Sequence, residues 1–541
     1  MTDSHVVEMT EAIPVELSVS VGVSVGNAMK LEPEMRHDPA VIGTNAVDLP
    51  SGLVKAAGAG AVLSPGRNCR EIVRANNAAL LVDAQNYFAE VEKALQQAQR
   101  SILIVGWDFD ARIRLRPDVE GSESLGTLLR RLVEERPELE VRVLVWSVAV
   151  AHAPGATFAL LFGADWEDHP RIQVRLDTEH PVYAAHHQKL VCIDDVIAFA
   201  GGIDLTVGRW DTSAHTPKDP WRLTPDGAPY GPVHDLQMAV DGEAAVAIAR
   251  VARERWLRAL GEDLPAIEPC PPIWPDDLQA DFQDIAIGVS LTVPATNFSP
   301  AVAQVAALTI NVLAAAQRSI YIEAQYFTCS LIRKVLASHL ARSDGPEIIA
   351  IVSRAAEGVV EKRVMGENRD RLIRRLKRHD PYDRLKVLYP VATCDGETAE
   401  VLIHAKLMII DDDVIRVGSA NLNNRSMGLD TELDLTIEAN GDERIRSTIS
   451  RIRNDLLGEH LGCDGQLVAK VIAESGSMVA ALEQLQDGPR SLHPFPALTE
   501  ARGPVHPTLW TAVLDPMRPI RLFNFFRKII PRRRQARARR R

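Results

Sequence analysis

Two short stretches carry residue types suited to chemistry, and they repeat. His187-Gln-Lys189-Leu-Val-Cys-Ile-Asp194 and His404-Ala-Lys406-Leu-Met-Ile-Ile-Asp411 both read HxKxxxxD. Each runs on into a small-residue turn, Gly201-Gly202-Ile-Asp204 in the first case and Gly418-Ser419-Ala-Asn421 in the second. A single histidine on an apolar strand is ordinarily structural. Two His-x-Lys pairs at matching places differ: brought together, two imidazoles and two ammonium groups repel when charged, and a bound anion relieves that repulsion. A tetrahedral phosphate ester suits such a cleft. One imidazole can attack phosphorus while the other protonates the leaving oxygen, and the lysines neutralise the non-bridging oxygens. The candidate catalytic set is therefore His187, Lys189, Asp194, His404, Lys406 and Asp411. Within it, strand alternation puts each His and Lys on one face. The same alternation sends Asp194 and Asp411 away from that face, into turns where a structural role is expected. Leu190, Cys192, Leu407 and Ile409 should point into the core. No group of His, Cys, Asp or Glu shows metal-ligand spacing, so neither metal nor cofactor is expected and the positive charge must come from the protein.

The elements that must position these residues also come twice. A helix over 83–98 feeds the strand that starts at Ser101, and the sequence before Ser319 repeats this pattern at an offset of 218, against 217 for the two motifs. Helices at 125–135 and 331–342, strands at 141–147 and 348–353, and strands at 171–176 and 384–389 follow in the same order. Alternating strands and helices repeated at so long a period predict a duplicated α/β/α domain, packed about a pseudo-twofold axis with the active site at the interface. The expected organisation is an unstructured segment over 1–66, one repeat over 67–264, a Pro-rich linker over 265–290 and a second repeat over 291–460. A helical and loop extension over 461–517 and a basic amphipathic tail over 518–541 complete it.

Composition bounds the rest. With 46% hydrophobic and 25% charged residues, 541 residues describe a globular protein with a full core. From residue 518 onward there are eleven Lys and Arg and no acid; removing those charges from the net −11 leaves −22 on residues 1–517. The six cysteines are scattered without a CxxC pair, as expected of free thiols in a reducing compartment. No apolar run reaches the ~18 residues of a spanning helix, and the start of the chain has no secretory pattern. The expectation is a cytoplasmic protein, peripheral at the inner membrane surface. There the Phe- and Arg-rich tail would meet anionic headgroups; a nucleic-acid arm is the competing use of the same charge.

The paired motifs, with Gly208-Arg209-Trp210-Asp211 and Ile320-Tyr-Ile-Glu-Ala-Gln-Tyr-Phe327, resemble the phospholipase D superfamily over about residues 68–460. They are most similar to its phosphatidylcholine-hydrolysing branch, which has eukaryotic members; the chain is read as a bacterial-type representative. The resemblance implies metal-independent hydrolysis or transphosphatidylation of a glycerophospholipid through a phosphohistidine, with water or an alcohol as acceptor. It also implies a carboxylate behind each histidine. By position Glu432 is assigned to His404 and Asp235 to His187. Ser419 and Asn421 are candidate phosphate donors, His187 the nucleophile and His404 the general acid. Trp107, Trp210, Trp221 and Tyr326 are candidates for an acyl or headgroup pocket, and Arg209 and Asp211 for a structural pair. Because one chain carries both motifs, a monomer is expected. A nucleic-acid substrate is disfavoured, since the short nucleases of the superfamily carry one motif each and dimerise. A cardiolipin-synthase-like transferase using the same site is the alternative, and a binding scaffold with a dead site gains nothing from two intact motifs.

Overall fold

The computed structural model describes residues 61–147, 165–181, 183–296, 299–354, 359–486, 488–499, 503–506 and 514–518, all within one compact unit, Gly52–Arg541. Residues 519–541, most of the basic tail, lie outside them, as does nearly all of the segment expected to be unstructured. Val62 and Leu63 belong to that segment, yet their backbone N–H groups donate to Glu438 at 2.5 and 3.1 Å. Order therefore begins earlier than expected.

The first half consists of β1 (Glu71–Val82), α1 (Asp83–Leu95), β2 (Ser101–Gly106), α2 (Leu125–Glu135), β3 (Glu140–Trp146), β4 (Ile172–Asp177), β5 (Leu190–Ile193), β6 (Ile197–Gly201), β7 (Val233–His234), β8 (Leu236–Asp241) and α3 (Gly242–Leu260). The second contains β9 (Phe282–Val293), β10 (Val302–Ala303), α4 (Gln304–Ala315), β11 (Ser319–Ala324), α5 (Ser330–Leu340), β12 (Glu347–Val352), α6 (Val359–Lys377) and β13 (Leu385–Cys394). It continues through β14 (Glu397–Glu400), β15 (Leu402–Ile403), β16 (Lys406–Ile410), β17 (Val414–Gly418), β18 (Glu432–Glu438) and α7 (Glu443–Leu461). The extension adds α8 (Gly465–Ser475), α9 (Met478–Gln484) and β19 (Arg490–Pro494), which pairs antiparallel with β13.

The two halves mirror one another through the sheet. From β1 outward the pairing order is β8, β6, β5, β2, β3, β4. From β9 outward it is β18, β17, β16, β11, β12, β13. The antiparallel pair β1–β9 joins them, Glu71 opposite Val289 and Ala78 opposite Phe282. Two α/β/α repeats thus meet about a pseudo-twofold axis at this seam. Neither seam strand was expected: Asn76-Asn77-Ala78-Ala79 breaks the apolar alternation of β1, and β9 starts inside the stretch read as linker. Pairing with each other and with β8 and β18 overrides weak local preference.

Each motif strand is buried on both faces, as its unbroken apolar sequence requires. Leu190, Cys192, Leu407 and Ile409 enter one core shared by both halves, where α3 and α7 pack. Val191 and Ile193 face α1 and α2 in a second core, while Met408 and Ile410 face α4, α5 and α6 in a third. At roughly 1.5–3 kcal/mol per buried aliphatic side chain, this layering holds the motif strands in register. Helix ends follow local chemistry: Asp442 accepts from Arg444 and Ile445 at the start of α7, and Gly462 closes it at φ 66°. No helix among the described residues is long and apolar enough to cross a membrane.

Candidate active site

The strands proper begin after the reactive residues: β5 starts at Leu190 and β16 at Lys406. His187, Lys189 and His404 stand just before their strands, where backbone leaves one half and meets the other. His187 N–H donates to Thr431 O at 2.9 Å and Thr431 N–H to Ala185 O at 2.9 Å. In the mirrored place His404 N–H donates to His234 O at 2.8 Å, and β15 pairs in parallel with β7. The entry to each motif is therefore fastened to the carboxylate-bearing segment of the opposite half.

This reverses the expected assignment of the carboxylates. Glu432 serves His187, with Oε2 3.0 Å from Nδ1, and Asp235 serves His404, with Oδ2 2.6 Å from Nδ1. Proximity in sequence misled because the exchange happens across the seam. Each carboxylate packs against the turn of its own half and reaches into the other. A Cβ on Gly202 would fall 2.0 Å from Asp235 Oδ1, so that turn position must be glycine. Its counterpart Ser419 instead donates to Glu432 Oε2 at 2.5 Å and accepts from Leu433 N at 3.1 Å. Ser419 is thus committed to orienting Glu432, which corrects its assignment as a phosphate donor. Asn421 is buried with Oδ1 unpartnered, and its backbone N–H donates to Ser426 Oγ at 3.1 Å.

Asp194 and Asp411 leave the catalytic set. Asp194 accepts from the backbone N–H groups of Gln99, Arg100 and Ser101 at 2.6, 2.8 and 2.7 Å. Asp411 does the same for Gln317, Arg318 and Ser319, each at 2.7 Å. Both sit at the far end of the motif strand, about 16 Å from the lysine at ~3.3 Å per residue. Both adopt positive φ, 52° and 56°. They clamp the start of β2 and β11 and touch no reacting group.

The lysines differ between halves. Lys189 pairs with Asp204 at 2.8 Å and donates to His187 O at 3.2 Å. Lys406 instead meets an amide, Gln325 Oε1 at 3.3 Å, lies 3.1 Å from His404 Nδ1, and also donates to His404 O. Asp204 is absent from the candidate site residues, and the one signal of its role in the sequence is an acid where the second turn has Asn421. Burial lowers Lys406 to about 8, with Asp235 opposing and Lys189 and Arg209 reinforcing the shift. Burial, then the charges of Lys189 and Lys406, holds His187 well below the ordinary imidazole value. Burial pushes Glu432 up to about 7 against the hydrogen bonds from Ser419 and Ser426, and it also raises Asp235. A carboxylate at each Nδ1 fixes the tautomer that puts the lone pair on Nε2. Two oriented imidazoles, with two ammonium groups within electrostatic range of His187, can bind and divide a phosphodiester.

The aromatic candidates separate. Trp210 belongs to the core of the first half and Trp221 is 47% exposed. Trp107 stacks on Trp146 at 5.7 Å and donates its backbone N–H to Asp204, while Tyr326 accepts from Gln325 at 3.2 Å. Only these two stand beside the lysine partners. Asp211 binds Arg222 and His215 at 3.0 and 2.9 Å, which replaces the expected pair with Arg209.

Two domain families match the chain: one described as phospholipase D over residues 94–271, and one described as the cardiolipin synthase, phospholipase D-like domain over residues 309–454. Phospholipase D alpha 1 of Vigna unguiculata is 24% identical over 528 residues, covering 70% of this chain. The match covers 64% of that relative, so the chain spans less than two thirds of its length. Phospholipase D1 of Homo sapiens is 37% identical over 141 residues, 25% of this chain and 13% of the human protein. Phosphatidylserine synthase of Haemophilus influenzae aligns at a TM-score of 0.48 and 14% identity, over 70% of this chain and 86% of that structure.

Proposed function

The chain belongs to the phospholipase D superfamily, and from that membership we propose that it is a phosphodiesterase of glycerophospholipids working through a phosphohistidine. One observation carries the reading: each imidazole is held at Nδ1 by a carboxylate of the opposite half, His187 by Glu432 and His404 by Asp235. The environment of His187 supports it as nucleophile, because burial and two lysines keep its ring neutral. Its Nε2 attacks phosphorus while protonated His404 gives its Nε2 proton to the headgroup oxygen as that P–O bond breaks. Water or a primary alcohol then yields a proton to His404 and attacks phosphorus. The P–N bond breaks and its electron pair returns to His187. Lys189 and Lys406 balance charge on the non-bridging oxygens throughout.

Both imidazole–carboxylate pairs come from one chain, so a monomer suffices. The basic tail over 518–541 supports a peripheral position at an anionic, cytoplasmic membrane surface. Incubation with mixed phospholipids, with and without butan-1-ol and with chelator present only during the assay, tests the reading by mass spectrometry. Phosphatidate, or phosphatidylbutanol when the alcohol is present, is the expected product. Unchanged lipids, or undiminished turnover in His187→Ala or His404→Ala, would sink it. The match to the cardiolipin synthase-like domain over residues 309–454 favours a second reading, transfer to a lipid alcohol. Cardiolipin formed from phosphatidylglycerol alone would establish that transfer.

A further inference from the structure

A second polar cluster lies one residue before Asp235, and the phosphodiester chemistry does not use it. Four side chains from four separate segments converge there: Asp83 at the start of α1, His215 in the loop between β6 and β7, His234 in β7 and Glu459 in the last turn of α7. His215 Nε2 lies 3.1 Å from Glu459 Oε1 and 3.6 Å from Asp83 Oδ2. His234 Nδ1 lies 2.9 Å from the same Glu459 oxygen and 3.2 Å from Asp83 Oδ1. These separations bracket the ~3.3 Å edge of a tetrahedron whose bonds are ~2.0–2.1 Å, the geometry of zinc with nitrogen and oxygen ligands.

Both histidines are also oriented as metal ligands are. His215 Nδ1 is 2.9 Å from Asp211 Oδ2, and His234 Nε2 is 2.9 Å from Glu323 Oε2. Each ring thus offers the nitrogen that faces the cluster and binds a carboxylate with the other. Asp83 is fully buried, and the groups that face its two carboxylate oxygens are His234 Nδ1 and His215 Nε2; a buried carboxylate is costly unless positive charge compensates it. Charge agrees. Four carboxylates (Asp83, Asp211, Glu323 and Glu459) meet two guanidiniums, Arg222 on Asp211 and Arg490 near Glu459 and Asp83. A divalent ion with neutral imidazoles brings the group to neutrality, as two imidazoliums would without an ion, so it is the tetrahedral spacing that favours the ion.

We propose that Asp83, His215, His234 and Glu459 bind one zinc ion in a closed, four-coordinate structural site. It staples the carboxy-terminal helix of the second half to three segments of the first. It also fixes β7, and with it Asp235, behind His404. The ion takes no part in bond breaking, since no coordination position remains open. Spacing in the sequence cannot show this site because each ligand comes from a different segment.

The test uses the full chain, produced in zinc-supplemented medium and passed over chelating resin. Mass spectrometry should find about one zinc per chain. X-ray absorption at the zinc edge should find two imidazole nitrogens and two oxygens at ~2.0–2.1 Å and no sulfur. His215→Ala and Glu459→Gln should lose the metal, whereas His187→Ala should keep it. Should those variants fail to fold, chelator-stripped wild type titrated with zinc sulfate gives the same answer through a melting-temperature rise of roughly 5 °C or more. Zinc-free wild type that does not respond to zinc sulfate would mean that two protonated imidazoles bridge the carboxylates, and the proposal fails. It fails equally if sulfur ligands appear, or if His187→Ala loses the zinc and His215→Ala does not.

Discussion

Replacing Glu432 by Gln tests the crossed pairing of carboxylate and imidazole directly. Glu432 accepts from Ser419 at 2.5 Å and faces His187 Nδ1 at 3.0 Å with no solvent exposure. A buried charge-assisted hydrogen bond contributes about 1.5–3 kcal/mol, which is roughly 10- to 150-fold in rate. Gln offers an N–H to Nδ1 and so favours the wrong tautomer, where Nε2 carries a hydrogen and cannot attack. That raises the expected loss in kcat to about 10²–10⁴-fold, with KM changed by less than about 3-fold. Asp235→Asn should be comparably slow on a natural lipid, because His404 then protonates the headgroup poorly. The two variants separate on a phosphatidyl ester of p-nitrophenol, a leaving group that needs no proton. Release of p-nitrophenolate in a single turnover should recover toward wild type in Asp235→Asn and stay slow in Glu432→Gln. The reverse pattern would mean that Glu432 serves the general acid. Equal rescue of both would refute the division of roles altogether.

Three further outcomes follow from the same geometry. Burial lifts the Glu432 carboxyl from 4.5 to about 7, so the fold disfavours its ionised form. The stability it contributes therefore falls by about 3 kcal/mol as pH rises from ~4.5 to ~7. Catalysis needs the ionised form, so kcat/KM should climb through about pH 7; thermal melts and pH–rate profiles should show both slopes flattened in Glu432→Gln. Asp194→Ala leaves three backbone N–H groups without an acceptor, a loss of roughly 3–5 kcal/mol, while kcat of the folded protein stays within about 3-fold; unchanged melting with lost turnover would return Asp194 to the catalytic set. Deleting residues 519–541 removes ten basic side chains, at on the order of 1 kcal/mol each near an anionic surface. Cosedimentation with phosphatidylserine vesicles should weaken at least about 10-fold while hydrolysis of a soluble short-chain lipid is preserved, and undiminished cosedimentation would place membrane contact elsewhere.

Duplication, the alternation of strands and helices, and the matching placement of a His and a Lys in each half were all readable from residue order. They are local facts: a motif, its turn and its flanking apolar runs lie within about 20 residues and keep their spacing in both copies. The roles of Asp194 and Asp411 were half visible, since alternation placed them away from the lysines but could not show which amides they hold. Residue order did not disclose the seam. β1 and β9 are weak strands by composition, and they form because each completes the hydrogen bonding of the other between β8 and β18. That pairing sets the two halves face to face and sends Glu432 to His187 and Asp235 to His404, against their order along the chain. It also gathers Asp83, His215, His234 and Glu459 into one buried group. Spacing along a chain constrains only neighbours within an element. Which carboxylate meets which imidazole is decided by the packing of one half against the other.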